Sequence, residues 1–149
     1  EWGIACVFDG DGSEHCAPLD ADELASVRPD ANLRFEMTPS LRLFEFRYPV
    51  NAHYGAVRAC DDDEEASAPT LPTPGAEYLA LARRSWVVRR WPLSAEQYRL
   101  VRCLAEGGTL GEGLVESFAD SAHTDVEIAR DLERWFQAWA REGWFLAIA

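Results

Sequence analysis

Toward the end of the chain, apolar positions recur at helical spacing in three consecutive segments; in the segments before them, apolar and polar residues alternate as in strands. Gln97, Leu100, Val101 and Leu104 share one face of a first predicted helix, which Gly107-Gly108 stops. Leu110, Leu114, Val115 and Phe118 group on a second helix. Val126, Ala129, Leu132, Trp135, Phe136 and Trp139 line a third, which ends near Gly143 before an apolar Trp144-Phe145-Leu146 that can return as a strand. Each helix has a start signal: Ser94 with Gln97, Thr109 with Glu112, and Thr124 with Glu127 fit the capping box, in which the N-cap and N3 side chains satisfy each other's backbone N–H groups. Three such matches in series are much stronger evidence than one.

Ahead of these helices, Glu77 to Arg83 and Trp86 to Trp91 read as two short strands around Arg84-Ser85, a hairpin without a glycine. Hairpin plus three short helices is a winged-helix plan. Further upstream, Leu19 to Val27 has acidic residues in its first turn and Pro29 beyond it, as a short helix should. Leu33, Phe35 and Met37 alternate with polar neighbours, Thr38-Pro39-Ser40 turns, and Leu41 to Tyr48 alternates again with Phe44, Phe46 and Tyr48 on one side; Pro49 ends that run. The predicted fold class is α+β, a small antiparallel hairpin followed by three helices, with a partly helical N-terminal portion. An acidic run, Asp61 to Glu65, leads into a proline-containing stretch and divides the chain into residues 1–58, a connection at 59–76, and a unit at 77–149, with a shared sheet still able to join the two ends.

Charge narrows the function. The 149 residues carry 26 Asp and Glu against 14 basic residues, all arginine, for a formal charge of -12 that repels a polyphosphate at long range. No apolar run approaches the roughly 20 residues that span a bilayer, and Glu1-Trp2-Gly3-Ile4 has no basic stretch of signal-peptide type, so a cytoplasmic setting without membrane contact is expected. Cysteines 6, 16, 60 and 103 form no CxxC pair and are expected as free thiols. Asp9-Gly10-Asp11-Gly12-Ser13-Glu14 lacks the ligand register of a calcium loop, and Cys6, His15, Cys16, His53 and Cys60 fit no zinc-finger spacing. With no glycine-rich elbow, phosphate loop or dinucleotide fingerprint, neither catalytic nor metal-ligating residues are predicted.

The acidic background has one interruption. Arginines 83, 84, 89, 90, 99 and 102 face the single carboxylate Glu96 within that span, so the hairpin is a basic island. It could merely solubilise the strands, grip DNA phosphates as a wing, or add an acidic peptide as an extra strand. A DNA-reading second helix should be basic; Leu110 to Ala119 holds Glu112 and Glu116 and no arginine. Strand addition escapes that objection, because backbone hydrogen bonds supply most of its affinity.

Glu1-Trp2-Gly3-Ile4-Ala5 with Phe8-Asp9, the run Leu33 to Tyr54 containing Thr38-Pro39-Ser40-Leu41-Arg42 and Tyr48-Pro49-Val50, and Gly107-Gly108-Thr109-Leu110-Gly111-Glu112 together resemble the HvfC/BufC-type proteins, once described as DNA-binding domains. The resemblance covers nearly the whole chain. Such proteins are partners of multinuclear non-haem iron oxidative enzymes that modify ribosomally made peptides, similar to the partner subunit of methanobactin biosynthesis. What the resemblance implies is a non-catalytic subunit that forms a heterodimer with the iron enzyme, holds no cofactor of its own, and binds the leader of a precursor peptide through a winged-helix peptide-recognition element. The leader would add along Trp86, Val87, Val88, Arg89, Arg90 and Trp91 and lie against the helix face with Arg130 and Arg134, while residues 1–58 would dock on the enzyme. The alternative is a winged-helix transcriptional regulator that binds DNA.

Overall fold

In chain order the elements are α1 (Trp2–Asp9), α2 (Ala21–Ser26), β1 (Phe35–Met37), β2 (Arg42–Phe46), α3 (Val50–Cys60), β3 (Glu77–Arg84), β4 (Val87–Leu93), α4 (Ala95–Ala105), α5 (Leu110–Phe118), α6 (Asp125–Arg141) and β5 (Phe145–Ile148). The computed structural model describes residues 1–12, 14, 16–60 and 69–149; the acidic run predicted at Asp61 to Glu65 lies outside them. Among the described residues this is a mixed α+β architecture with small antiparallel sheets, and no helix is long and apolar enough to cross a membrane.

Local chemistry sets the helix ends. The three predicted capping boxes are present at Ser94–Gln97, Thr109–Glu112 and Thr124–Glu127, and a fourth, Asp20–Glu23, starts α2. Helices α4 and α6 finish alike. Gly107 (φ 83°) and Gly143 (φ 73°) take the left-handed conformation that a Cβ disfavours. The N–H of Gly107 then bonds Leu104 and that of Gly108 bonds Cys103, while Gly143 bonds Ala140 and Trp144 bonds Trp139, the paired bonds of a Schellman ending.

The hairpin differs from its sequence reading by one residue. Ser85 and Trp86, not Arg84 and Ser85, are the central turn residues, both with positive φ (50° and 63°) as a two-residue type I′ turn demands. Trp86 therefore sits in the turn rather than on the strand, and β4 runs on through Pro92 to Leu93. A tryptophan there is sterically unfavourable, and the Arg83 guanidinium lies over its ring at 4.8 Å.

A shared sheet joins the two ends of the chain: β2 pairs with β3, which pairs with β4, and β1 pairs with β5 in a second, two-stranded sheet. Strand β3 is buried on both faces. Ala80 and Ala82 meet the helices with Leu100, Val101, Leu104, Trp135, Trp139, Trp144 and Phe145, whereas Leu79 and Leu81 meet Val7 of α1 on the other side. Small residues at 80 and 82 let α4 approach the sheet closely. Backbone oxygens of Leu33 and Ala31 accept from the N–H groups of Leu110 and Gly111, so the segment before β1 satisfies the first turn of α5.

Two helices escaped the hydrophobic pattern. Helix α1 buries Val7 with Ile4 beside it but leaves Phe8 half-exposed, and α3 buries no residue at all, so neither carries a long core stripe. Val115 and Val126, which share helical spacing with inward-facing residues, are exposed on α5 and α6, as is Ala129.

Candidate functional site

Strand β4 is an edge of its sheet. Counting from the two-residue turn, the pairs Arg84–Val87, Ala82–Arg89 and Ala80–Trp91 exchange ladder hydrogen bonds, so the backbone groups of Val88, Arg90 and Pro92 point away from β3. Val88 and Arg90 thus offer N–H and C=O groups to an incoming strand. Pro92 offers only its C=O, which is why a proline is tolerated there and why an added ladder would lose a hydrogen bond at that point.

Helix α6 reaches this edge through its C-terminal end and near the end of the strand. Glu142 at its C-terminal end accepts from Arg89 at 3.0 Å, and Arg134 shares a polar depression of 250 Å³ with Ser94 and Gln97 just past the end of β4. Trp91 turns inward, edge-on to Trp144 at 5.3 Å. Of the residues predicted for peptide contact, then, Val88, Arg89, Arg90 and Trp91 share β4 with Val87, Trp86 tips the hairpin, and Arg134 lies near the strand's end. Arg134 is paired with Asp131 at 3.0 Å; Arg130 is solvent-exposed and close enough to Glu127 to help hold its carboxyl low, after the backbone and side-chain hydrogen bonds from Thr124.

The fold brings distant carboxylates to the basic island. Arg83, only 5% exposed, donates from Nε and Nη2 to both oxygens of Glu14 (2.7 and 3.0 Å) and from Nη1 to the carbonyl of Phe8. That bidentate hydrogen bond holds the Glu14 carboxyl below the usual range. Arg102 pairs with Glu116 on α5 and lies over the Tyr98 ring. Arg90, by contrast, lies over the Tyr54 ring at 4.6 Å, and Arg84 is exposed beside the turn. The carboxylate partners, Glu14 and Glu116, sit 69 and 14 positions away in sequence, beyond any local charge count.

No protein-family model matches the chain, and no curated protein matches it.

The feature that sequence reasoning missed lies on the opposite face of β4 from α6. Ile4, Ala5 and Phe8 of α1, Tyr54 of α3, and Trp86, Val87 and Val88 line an open, largely apolar groove of 510 Å³, together with Glu1 and Asp9. The i, i+4 spacing of Ile4 and Phe8 is the one signal that could have pointed to it. Elsewhere, burial and the nearby Glu116 push the Cys103 thiol up, the wrong direction for a nucleophilic thiolate. Among the described residues no group of three or more His, Cys, Asp or Glu is placed as metal ligands would be; His15 is not among them.

Proposed function

We propose that this chain is a non-catalytic partner subunit that adds the leader of a ribosomally made precursor peptide as an extra strand on β4, alongside α6, and docks on the iron-dependent oxidative enzyme that modifies the peptide. The observation that carries this reading is the unpaired β4 edge, open at Val88 and Arg90, with Arg89 bonded to Glu142 just past the end of α6. Strand addition draws affinity from such backbone groups and selectivity from the side chains that flank them. The hairpin followed by three capped helices has the order of a winged-helix peptide-recognition element, in which the last hairpin strand and the third helix hold the peptide. Iron belongs to the partner enzyme in this reading, and residues 1–58 form the docking side.

The enzyme's recognition of the complex and the leader's recognition by this chain are separate events, so one experiment reads both. The chain is co-purified with an iron oxidative enzyme encoded beside it, and the leader of the neighbouring precursor is titrated by fluorescence anisotropy. A stable heterodimer and saturable leader binding are expected, with Arg89→Glu and Arg90→Glu together weakening the leader about tenfold at low salt. No heterodimer and no leader binding would sink the proposal. Tight binding of duplex DNA that weakens steeply with salt would replace it with the regulator reading.

A further inference from the structure

The open stretch of β4 is bounded at both ends. Outward-facing backbone groups recur at every second residue, at Val88, Arg90 and Pro92, and among the described residues no hydrogen bond reaches them from outside the sheet. Toward the hairpin tip, the chain leaves the strand at Trp86, whose φ is positive. Toward α4, the next outward residue is Ser94. Its N–H is donated to Gln97 Oε1 at 2.8 Å and its carbonyl accepts from Tyr98 at 2.9 Å, so the capping box that starts α4 also closes the edge. Between these limits the edge presents three acceptors and, because Pro92 has no N–H, only two donors.

A second copy of the chain is a poor match for this stretch. Laid antiparallel on itself about Arg90, β4 sets Val88 against Pro92 twice, losing a hydrogen bond each time, and brings Arg90 opposite its own copy, like charges in directly paired positions. The register about Arg89 leaves Pro92 outside the ladder and opposes two Arg89 side chains instead. An unrelated strand meets neither obstacle.

Resting on the strand-addition reading, we infer that Pro92 is the stop of the site: the added strand lies antiparallel over Val88 to Pro92, exchanges both hydrogen bonds with Val88 and with Arg90, and donates only one, to the Pro92 carbonyl. The ligand this selects is a short extended segment defined by its backbone. It needs free N–H groups at three alternate positions, opposite Val88, Arg90 and Pro92, and has no such need at the two positions between, whose N–H groups face water. A proline is therefore rejected at any of the three and accepted at either of the two, as Pro92 itself is accepted on this edge. The selection comes from main-chain groups and asks nothing of the arginine side chains.

The test uses the full chain and the synthetic leader of the neighbouring precursor, read by fluorescence anisotropy, with each leader residue N-methylated in turn. N-methylation at three alternate residues should weaken binding about tenfold each, and at the two between them should change it less than about twofold. On the protein, Val88→Pro and Arg90→Pro remove outward N–H groups that the hairpin does not use, so both should keep the wild-type circular dichroism and lose about tenfold in leader affinity. Pro92→Val supplies the missing donor and should gain about threefold. If a proline variant fails to fold, the N-methyl scan, which leaves the protein untouched, decides alone. Sensitivity at consecutive residues, or at none, overturns strand addition and the stop together, as does a leader that does not bind. Alternation that runs past the three positions, or no gain with Pro92→Val, overturns the stop and leaves strand addition standing. A wild-type chain that self-associates and is dissociated by Val88→Pro assigns the edge to a second copy and overturns the leader as its occupant.

Discussion

The two faces of the three-stranded sheet are covered by different physics. On the helical face, Trp135, Trp139, Trp144 and Phe145 pack in sequence, with Trp139 and Trp144 stacked at 5.6 Å, and each helix is started by its own cap. On the α1 face the apolar cluster is small, built on Val7, Leu79 and Leu81. What fastens that side is polar: Arg83 ties Glu14 and the end of α1 to the sheet, while its backbone holds Ser40 of the turn between β1 and β2 through bonds of 3.1 and 3.2 Å. The helical face holds the larger core, yet it keeps an apolar hollow between α2 and α6. On the α1 face a small cluster and one arginine leave apolar surface over, and that surplus borders the open strand.

The sharpest break of this comparison is Trp144→Ala. The side chain is fully buried between Trp91 and Trp139, so truncation should cost about 3–5 kcal/mol in urea unfolding, a large share of the ~5–15 kcal/mol typical of a domain. Val7→Ala, equally buried but in the small cluster, should cost about 2 kcal/mol. A larger loss at Val7 than at Trp144 would reverse the assignment of the main core.

The same contrast explains what could be read from sequence. Caps span three residues, and the spacing of Leu100, Val101 and Leu104 or of Trp135 and Trp139 falls within one helix, so the helical half was legible in the residue pattern alone. The pairing of β1 with β5 and of β2 with β3 was not, because register between remote strands leaves no local mark. Nor was the Arg83–Glu14 pair, 69 positions apart. Helix α3 was illegible for another reason: it buries nothing, so its sequence was never constrained to a stripe. For the candidate site, the arginine-rich hairpin was visible, but the counter-charges from Glu14, Glu116 and Glu142 and the groove on the far side depend on tertiary structure.

Arg83→Met tests the polar side alone. It leaves Glu14 and the Phe8 carbonyl without their donor, so amides of α1 should lose hydrogen-exchange protection while those of α4 and α6 keep theirs. Acid should imitate it. The folded-state pKa of Glu14 is depressed by the Arg83 hydrogen bond, so the lock is fully present above the unfolded carboxylate value and is lost as pH falls through the lower folded one. Glu112 and Glu127, held low by the backbone N–H groups of Thr109 and Thr124, give the helical side the same sign. Exchange must therefore be followed region by region, and the acid sensitivity of α1 should vanish in Arg83→Met. Persistence of that sensitivity would remove Glu14 as its source.

Smaller effects belong to the caps. Thr124→Ala removes the acceptor for the Glu127 N–H and the hydroxyl that bonds its carboxylate, and should lower stability by about 1 kcal/mol, read as a shifted urea midpoint with an unchanged slope. A changed slope would mean that α6 frays as a unit and that the helical face is less finished than its packing indicates.

The smallest expected effect separates pattern from packing on α5. Val115 falls at helical spacing with Leu114 and Phe118, yet it is 74% exposed, so its apolar character contributes little to the core. Val115→Lys exchanges a β-branched residue for a better helix former and places a cation three residues after Glu112, favourable terms of a few tenths of a kcal/mol each. Urea unfolding should show no loss and a gain of up to about 0.5 kcal/mol. A loss above about 1 kcal/mol would mean that another molecule covers Val115 in solution. Sedimentation of the two proteins would then show an associated wild type and a monomeric variant, and the helical face would carry an interface of its own.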